Sequence, residues 1–361
     1  MKVLVAGWIG STNLGDELVF AGLRALLRPS GVQLSAISVD PGATRRDHGV
    51  GAVGHLDAPT LVRAIDEADA VVFGGGGLLQ DDSSALNLPY HLSRLALARV
   101  RGTPYAVVGL GVGGLSTSSG RRLARLAMRP AVGLAVRDED SRRLLETIGV
   151  PSATVAADLA FALPTPAVAV SPGDHLAVCL RPWSADRARR PAAAQRGTIA
   201  EEHLDALARA LDEAASATGL GIEFVALQAD RDDAVHARVA ERMRTPSTRV
   251  TPSSGELVPT IAGARAVVAM RYHGGVAATL AGVPSVLIGY APKVDALAHE
   301  LGAGGKVLAW DPRDLADVPA ALEAVLPHQR AVTRTRADLQ ARQAGNRVVL
   351  DRLLEAAARP R

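Results

Sequence analysis

The chain has 361 residues, 48% of them hydrophobic, with a formal net charge of +3. That length suits two α/β domains of ordinary size rather than one small domain, and aromatic residues at 3% leave too few rings for base stacking, so nucleic acid is excluded as a partner. The single cysteine, Cys179, excludes a disulfide framework and a cysteine-rich metal site. No apolar run approaches a membrane span, and Met1-Lys2 leads directly into Val3-Leu4-Val5-Ala6 rather than a signal peptide. A cytoplasmic protein is expected.

In chain order, strand-like runs at Val3–Ala6, Leu34–Val39, Ala70–Phe73, Tyr105–Val108 and Gly133–Val136 alternate with helical patterns at Glu17–Leu27, Thr60–Ala68, Leu88–Val100, Arg121–Met128 and Glu139–Ile148. This alternation predicts a doubly wound parallel sheet. A Pro-rich patch, Ala162–Pro166 with Ser171-Pro172-Gly173, reads as a linker. A second series follows, with strands at Leu176–Leu180, Ile222–Leu227, Ala266–Met270 and Val286–Ile288 and helices at Glu202–Ala215, Asp232–Met243, Glu256–Ala262 and Gly275–Ala281. Ser253 and Glu256 have capping-box spacing. The expected organisation is a first α/β domain over residues 1–165, a second over 174–329, and a helical segment over 330–361 that packs back. Two domains of similar size imply a cleft between them.

The most informative stretch runs from Ala264 to Tyr290. Val267-Val268-Ala269-Met270 leads into Arg271-Tyr272-His273-Gly274, a helical run ends at Gly282, and Pro284–Ile288 is the next strand. This unit places an Arg and a His at the carboxyl end of a strand, where open parallel sheets bind ligands and where a helix N-terminus favours anions. Arg271 offers a planar fork of donors and His273 a group that moves protons near neutral pH. Lysine occurs three times, at Lys2, Lys293 and Lys306, in a chain that otherwise uses Arg. Lys293 follows the next strand, so Arg271, His273 and Lys293 gather at one sheet edge. Val136-Arg137-Asp138 and Leu180-Arg181-Pro182-Trp183 place two further arginines at strand ends.

Other strand-end loops suit hydroxyl recognition. Gly10–Glu17 contains Asn13 and Asp16, each also able to cap the following helix. Gly74-Gly75-Gly76-Gly77 permits close backbone approach and precedes the polar run Gln80-Asp81-Asp82-Ser83-Ser84. Gly109–Gly114 fits G-x-G-x-x-G, but Leu115–Ser119 separates it from the next helix, and Asp16 would repel a pyrophosphate at the first turn, which argues against a dinucleotide. The motifs H-E-x-x-H, C-x-x-C, Walker A and G-x-S-x-G are absent from the sequence, so no metal or triad chemistry is indicated.

Taken together, Gly10–Glu17, Gly74–Asp81, Gly109–Gly113, Val136–Asp138, Ala157–Phe161, Leu180–Trp183, Met270–His273 and Pro292–Val294 resemble, in order, the polysaccharide pyruvyltransferase family, especially its bacterial cell-wall branch. The resemblance implies a glycosyltransferase-B-like pair of Rossmann-like domains. It also implies phosphoenolpyruvate as co-substrate with no bound cofactor, and a pyruvyl ketal on a sugar of a cell-surface glycan as product. It carries donor-site roles to Arg137, His273 and Lys293, with Arg271 and Arg181 beside them and His273 as the catalytic acid/base. Asn13, Asp16, Gly76, Gly77 and Asp81 are expected on the acceptor side, in the first domain. The acceptor's linkage, to lipid or to nucleotide, stays open, as does peripheral contact with the inner face of the membrane. Leu110 stands where the family usually has Gln, and Tyr272 where it usually has Leu.

Two other readings compete. A nucleotide-sugar glycosyltransferase of the same architecture would want a ribose-binding Glu late in the second domain, and none stands out between Gly289 and Leu301. A silent sugar- or anion-binding protein would not need Arg, His and Lys together.

Overall fold

The computed structural model describes residues 1–81, 86–150, 153–165, 173–183 and 199–359. Asp82–Ser84 of the polar run and part of the Pro-rich stretch lie outside them. The chain divides into two compact units. The first comprises Met1–Ser11, Asp16–Leu163 and Leu339–Arg361, and the second Thr12–Gly15 and Pro164–Asp338.

The first unit is a seven-stranded parallel sheet built from β1 (Lys2–Ile9), β2 (Gln33–Ser38), β3 (Gly51–Gly54), β4 (Ala70–Gly74), β5 (Tyr105–Leu110), β6 (Leu134–Val136) and β7 (Thr154–Val155), in the order β3-β2-β1-β4-β5-β6-β7. Its crossovers are α1 (Leu14–Leu27), α2 (Pro41–His48), α3 (Ala58–Glu67), α4 (Asn87–Val100), α5 (Ser118–Met128) and α6 (Glu139–Thr147). The central strands are apolar on both faces because both are covered, as parallel sheets require. Leu4, Val71, Phe73 and Val107 belong to one core cluster, Val3, Val5, Val72 and Val108 to another.

The second unit repeats the plan with β8 (His175–Cys179), β9 (Gly221–Val225), β10 (Ser247–Val250), β11 (Ala266–Ala269), β12 (Ser285–Gly289) and β13 (Gly305–Ala309), in the order β10-β9-β8-β11-β12-β13. Its helices are α7 (Glu201–Thr218), α8 (Ala229–Ala240), α9 (Leu257–Ala262), α10 (Tyr272–Ala281), α11 (Pro292–Leu301), α12 (Pro312–Leu315) and α13 (Val318–Val325). In each sheet the order reverses beside the first strand of the unit, at β1/β4 and at β8/β11. That reversal opens the crevice at the carboxyl edge where such sheets take their ligands.

The predicted periodicity misses β3, β7, β10 and β13, the polar helix α2, and the helices α12 and α13. The four strands are short, and each lies at or next to a sheet edge. Ser247–Val250 carries no apolar run, being at best half-buried. Helix α8 starts at Ala229, earlier than the expected Asp232. Of the Ser253/Glu256 box, the arm from Glu256 forms, its carboxylate accepting from the Ser253 N–H at 3.0 Å and from its hydroxyl at 2.8 Å.

The chain ends in α14 (Gln329–Ala341) and α15 (Gln343–Ala357), with Val349, Leu350 and Leu353 in the first unit's core. Asn346 fixes this helix. Its buried carboxamide accepts from the Gly109 N–H at 2.8 Å and donates to the Ala157 carbonyl at 3.0 Å and to Gln343 Oε1 at 2.8 Å. Asn346→Leu strands a buried N–H and a buried carbonyl, each costing about 1–3 kcal/mol. Urea unfolding should show a loss at least of that size, and an unchanged midpoint would contradict the account.

Candidate functional site

Three neighbouring strands of the second sheet, β8, β11 and β12, bring their carboxyl ends together. The Met270 and Arg271 N–H groups donate to the Cys179 carbonyl at 3.0 and 3.2 Å, which joins the end of β8 to the start of the Arg271 loop. Behind it, buried His236 accepts the Leu180 N–H through Nε2 at 3.2 Å, and burial pushes its imidazole down to about 4, so it stays neutral. Burial also pushes the Cys179 thiol up, which leaves it protonated and inert.

Arg181, Lys293 and Tyr290 meet at this edge, each partly buried. Arg181 donates through Nη1 to the Tyr290 hydroxyl at 3.1 Å, with its guanidinium 5.1 Å from the Tyr290 ring and 5.8 Å from that of Trp183. Lys293 holds its ammonium 5.8 Å from the Tyr290 ring and 6.0 Å from the Tyr272 ring. Burial alone would raise the Tyr290 phenol, but Lys293, Arg181 and Arg271 overcome it and bring the group down to about 7. Sequence reasoning passed over Tyr290. Its position at a strand end between an Arg and a Lys was visible, but its contact with both was not.

Arg271 is differently placed. It is buried, and its Nε and Nη2 grip the carboxylate of Asp232, with Nη2 also donating to Gln228 Oε1 at 3.2 Å. Asp232 in turn accepts the Leu227 and Gln228 N–H groups at 3.2 and 2.9 Å. Burial pushes this carboxyl up, with Arg271 and the Gln228 N–H opposing it. Much of the Arg271 charge is therefore spent inside the fold, on partners the sequence analysis did not name.

His273 lies in the first turn of α10, where the positive end of the helix dipole favours an anion. Its ring meets Tyr272 edge-on at 5.1 Å. Against it lies Gly15, in the Thr12–Gly15 segment counted with this unit; a Cβ there would stand 2.3 Å from His273 Nδ1. The same segment is tied down by Thr12, which donates to Asp230 at 2.8 Å and accepts from Gln228 Nε2 at 3.2 Å, and by the Leu14 N–H, which donates to the Leu227 carbonyl at 2.8 Å. Asn13, also in this segment, accepts the Gly15 N–H through its side chain at 3.2 Å.

The remaining residues expected on the acceptor side, and Arg137, sit in the first unit. Asp16 faces the turn at the end of β4, where Gly75 and Gly76 adopt φ of 83° and 71°. A Cβ on Gly75 would fall 1.9 Å from Val19 Cγ1, and one on Gly76 3.4 Å from Asp16 Oδ1. The Gly76 carbonyl accepts the Gly111 N–H at 3.0 Å, linking this turn to the loop after β5, and Gly77 follows it. Asp81 is occupied by the backbone N–H groups and hydroxyls of Ser116 and Thr117, with oxygen separations of 2.5–3.0 Å. These four donors outweigh the effect of its burial and hold its carboxyl at about 2. Asp81 thus fixes a loop. Arg137 is buried between Asp138 at 3.2 Å and Asp158 at 3.6 Å, its guanidinium against Gly111. Among the described residues no group of three or more His, Cys, Asp or Glu side chains is placed to hold a metal ion.

The polysaccharide pyruvyl transferase family profile matches residues 13–292, which takes in every residue named above from Asn13 to Asp232 and on to Tyr290. The chain belongs to the polysaccharide pyruvyl transferase family. No curated protein matches it. Solved structures share the fold of this pyruvyl transferase family member at low identity. Anabaena HepE, solved in complex with UDP-glucose, is 15% identical with a TM-score of 0.62, covering 98% of this chain and 100% of its own. The UDP-GlcNAc 2-epimerase of Neisseria meningitidis, bound to UDP-GlcNAc, is 11% identical with a TM-score of 0.58 over 98% and 100%. A glycosyltransferase from Rickettsia africae is 12% identical with a TM-score of 0.63 over 99% of each chain. The architecture is glycosyltransferase-B-like, two Rossmann-like units with parallel sheets.

The cationic edge makes a spectroscopic prediction. Wild-type protein should gain tyrosinate absorbance with a midpoint at about 7, absent in Tyr290→Phe and shifted upward in Lys293→Ala, because a neighbouring cation favours the phenolate. A wild-type midpoint at the ordinary phenol value of about 10 would contradict it.

Proposed function

We propose that the protein transfers the pyruvyl group of phosphoenolpyruvate to two hydroxyls of a sugar, forming a ketal and releasing phosphate. Family membership supports pyruvyl transfer. The observation that carries the choice of donor is the convergence of Arg181 and Lys293 on Tyr290 beside His273, at the ends of three adjacent strands. Phosphoenolpyruvate brings a phosphate and a carboxylate, and this edge offers two cations and a helix N-terminus to meet them.

The chemistry divides among these residues. His273, as the imidazolium, delivers a proton to the methylene carbon, and C2 becomes an oxocarbenium-like centre. One sugar hydroxyl adds to C2 and loses its proton to the imidazole. The C2–O bond to phosphate then breaks, with Arg181 and Lys293 stabilising the departing dianion. The second hydroxyl adds to C2, its proton leaving with phosphate, and the ketal closes. Tyr290, near its midpoint at neutral pH, is suited to relay that last proton. Arg271 acts chiefly by holding the loop, and Arg137 is a donor-site residue in this reading by family correspondence. The acceptor side rests on Asn13, Asp16 and the turn at Gly76 and Gly77, with Asp81 holding the neighbouring Ser116-Thr117 loop in place. The acceptor is a sugar of a cell-surface glycan or its precursor.

Incubation with phosphoenolpyruvate and a panel of sugar acceptors should release phosphate and add a pyruvyl mass to one of them. His273→Gln should lower kcat by roughly 100- to 10,000-fold while donor binding persists, the range of a lost general acid/base. Gly15→Ala should lower kcat as well, by pushing the imidazole out of line. A His273→Gln enzyme at wild-type rate would remove the residue from the mechanism. Sugar transfer from a nucleotide sugar, with phosphoenolpyruvate inert, would replace this reading with the glycosyltransferase one.

A further inference from the structure

Between Ser83 and Arg137 the chain contains seven arginines and no Asp or Glu. Four of these arginines meet on the outer side of α4 and α5, and none of the four is assigned to the acceptor or donor. Arg122, Arg125, Leu126 and Arg129 follow i, i+3, i+4, i+7 spacing, one stripe of a helix whose opposite side buries Gly120, Ala124, Ala127 and Met128. With Arg99 from the last turn of α4, and Pro130, they line a depression of about 430 Å3.

The charges of this depression are unbalanced. Several arginines elsewhere on the surface are matched: Arg101 with Asp66, Arg142 with Glu139 and Glu146, Arg238 with Glu201, Arg242 with Glu201 and Asp205. Among the described residues, Arg99, Arg122, Arg125 and Arg129 have no carboxylate within salt-bridge distance. Arg99, Arg125 and Arg129 complement the carboxyl ends of their helices, but Arg122 precedes that end and gains nothing from it. Like charges gathered in this way raise the energy of the fold unless an anion offsets them.

Aliphatic side chains are exposed among these cations. Leu126, in the middle of the stripe, is 55% exposed, Val100 beside Arg99 is 81% exposed, and Val132 just after Pro130 is 37% exposed. A surface that tracks a nucleic-acid backbone has no use for solvent-facing Leu and Val. Guanidinium groups interleaved with aliphatic side chains suit the headgroup layer of an anionic bilayer, where forks of N–H donors engage phosphates and the aliphatic tips enter the acyl boundary. No helix among the described residues is long and apolar enough to cross a membrane, so attachment through this face is peripheral.

We infer that the α4–α5 face, centred on Arg99, Arg122, Arg125, Leu126 and Arg129, docks on the phosphate headgroups of an anionic lipid bilayer. Flotation with phosphatidylcholine vesicles, with and without phosphatidylglycerol, tests it. The wild-type protein should float only with phosphatidylglycerol present and be released by salt. Each neutralised arginine should weaken binding about fivefold, so Arg122→Gln/Arg125→Gln/Arg129→Gln should weaken it by roughly 100-fold with an unchanged circular dichroism spectrum. Leu126→Asn should weaken vesicle binding severalfold and leave retention on heparin unaltered, since only a bilayer takes up the aliphatic tip. The inference fails if wild-type protein does not float with the anionic vesicles, or if the triple variant floats as well as wild type. Undiminished vesicle binding by Leu126→Asn, together with tight binding of duplex DNA, would assign the face to a nucleic acid and equally overturn it.

Discussion

The buried pair between Arg271 and Asp232 is the contact on which the edge of the second unit depends. Asp232 sits in the first turn of α8 and takes four donors, two from the backbone that leaves β9 and two from the guanidinium that follows β11. One carboxylate thus ties together the strand ends on either side of β8. Removing either partner would leave an uncompensated charge in the interior, at a cost of about 3–5 kcal/mol, so the pair behaves as a fixed joint. Through Gln228 the joint extends to Thr12, and the Thr12–Gly15 segment it anchors presses Gly15 against His273.

At the same edge stand two further cations, Arg181 and Lys293. Both surround the half-buried phenol of Tyr290, whose depressed titration reports how positive the place is. An incoming dianion would relieve the same repulsion that now favours the phenolate, so ligand binding and Tyr290 protonation are coupled. The first unit is organised otherwise. Its strand ends offer left-handed glycines at Gly75 and Gly76 and carboxylates held by fixed donors, Asp81 by four hydrogen bonds and Glu17 by His48 and the Ser11 N–H.

Much of this was legible in the sequence, for physical reasons that differ from element to element. The central strands of both sheets are buried on two faces and so appear as unbroken apolar runs, as in Val71-Val72-Phe73 and Val267-Val268-Ala269. Edge strands such as Ser247–Val250 keep polar residues toward water and give no such run. The strand-end positions of Arg181, Arg271, His273 and Lys293 could be read because a parallel sheet exposes its carboxyl edge. Their partners could not. Asp232 lies 39 residues before Arg271 and looked like an ordinary first-turn acid, and Tyr290 looked like one loop aromatic among few. Gly15 carries no chemistry in one dimension, and its significance is only the ring packed against it. Likewise Asp81, among glycines and hydroxyls, read as a free carboxylate, whereas folding gives its oxygens to Ser116 and Thr117.

The central claim is that the cationic edge formed by Arg181, Lys293 and the α10 terminus holds phosphoenolpyruvate. Isothermal titration tests it most directly, with phosphoenolpyruvate and a UDP-sugar titrated in parallel into wild-type, Lys293→Ala and Lys293→Arg proteins. The expected result is salt-sensitive binding of phosphoenolpyruvate to the wild-type protein, severely weakened in Lys293→Ala and partly restored in Lys293→Arg. Binding of phosphoenolpyruvate that is indifferent to Lys293, or binding of the UDP-sugar with none of phosphoenolpyruvate, would contradict the account.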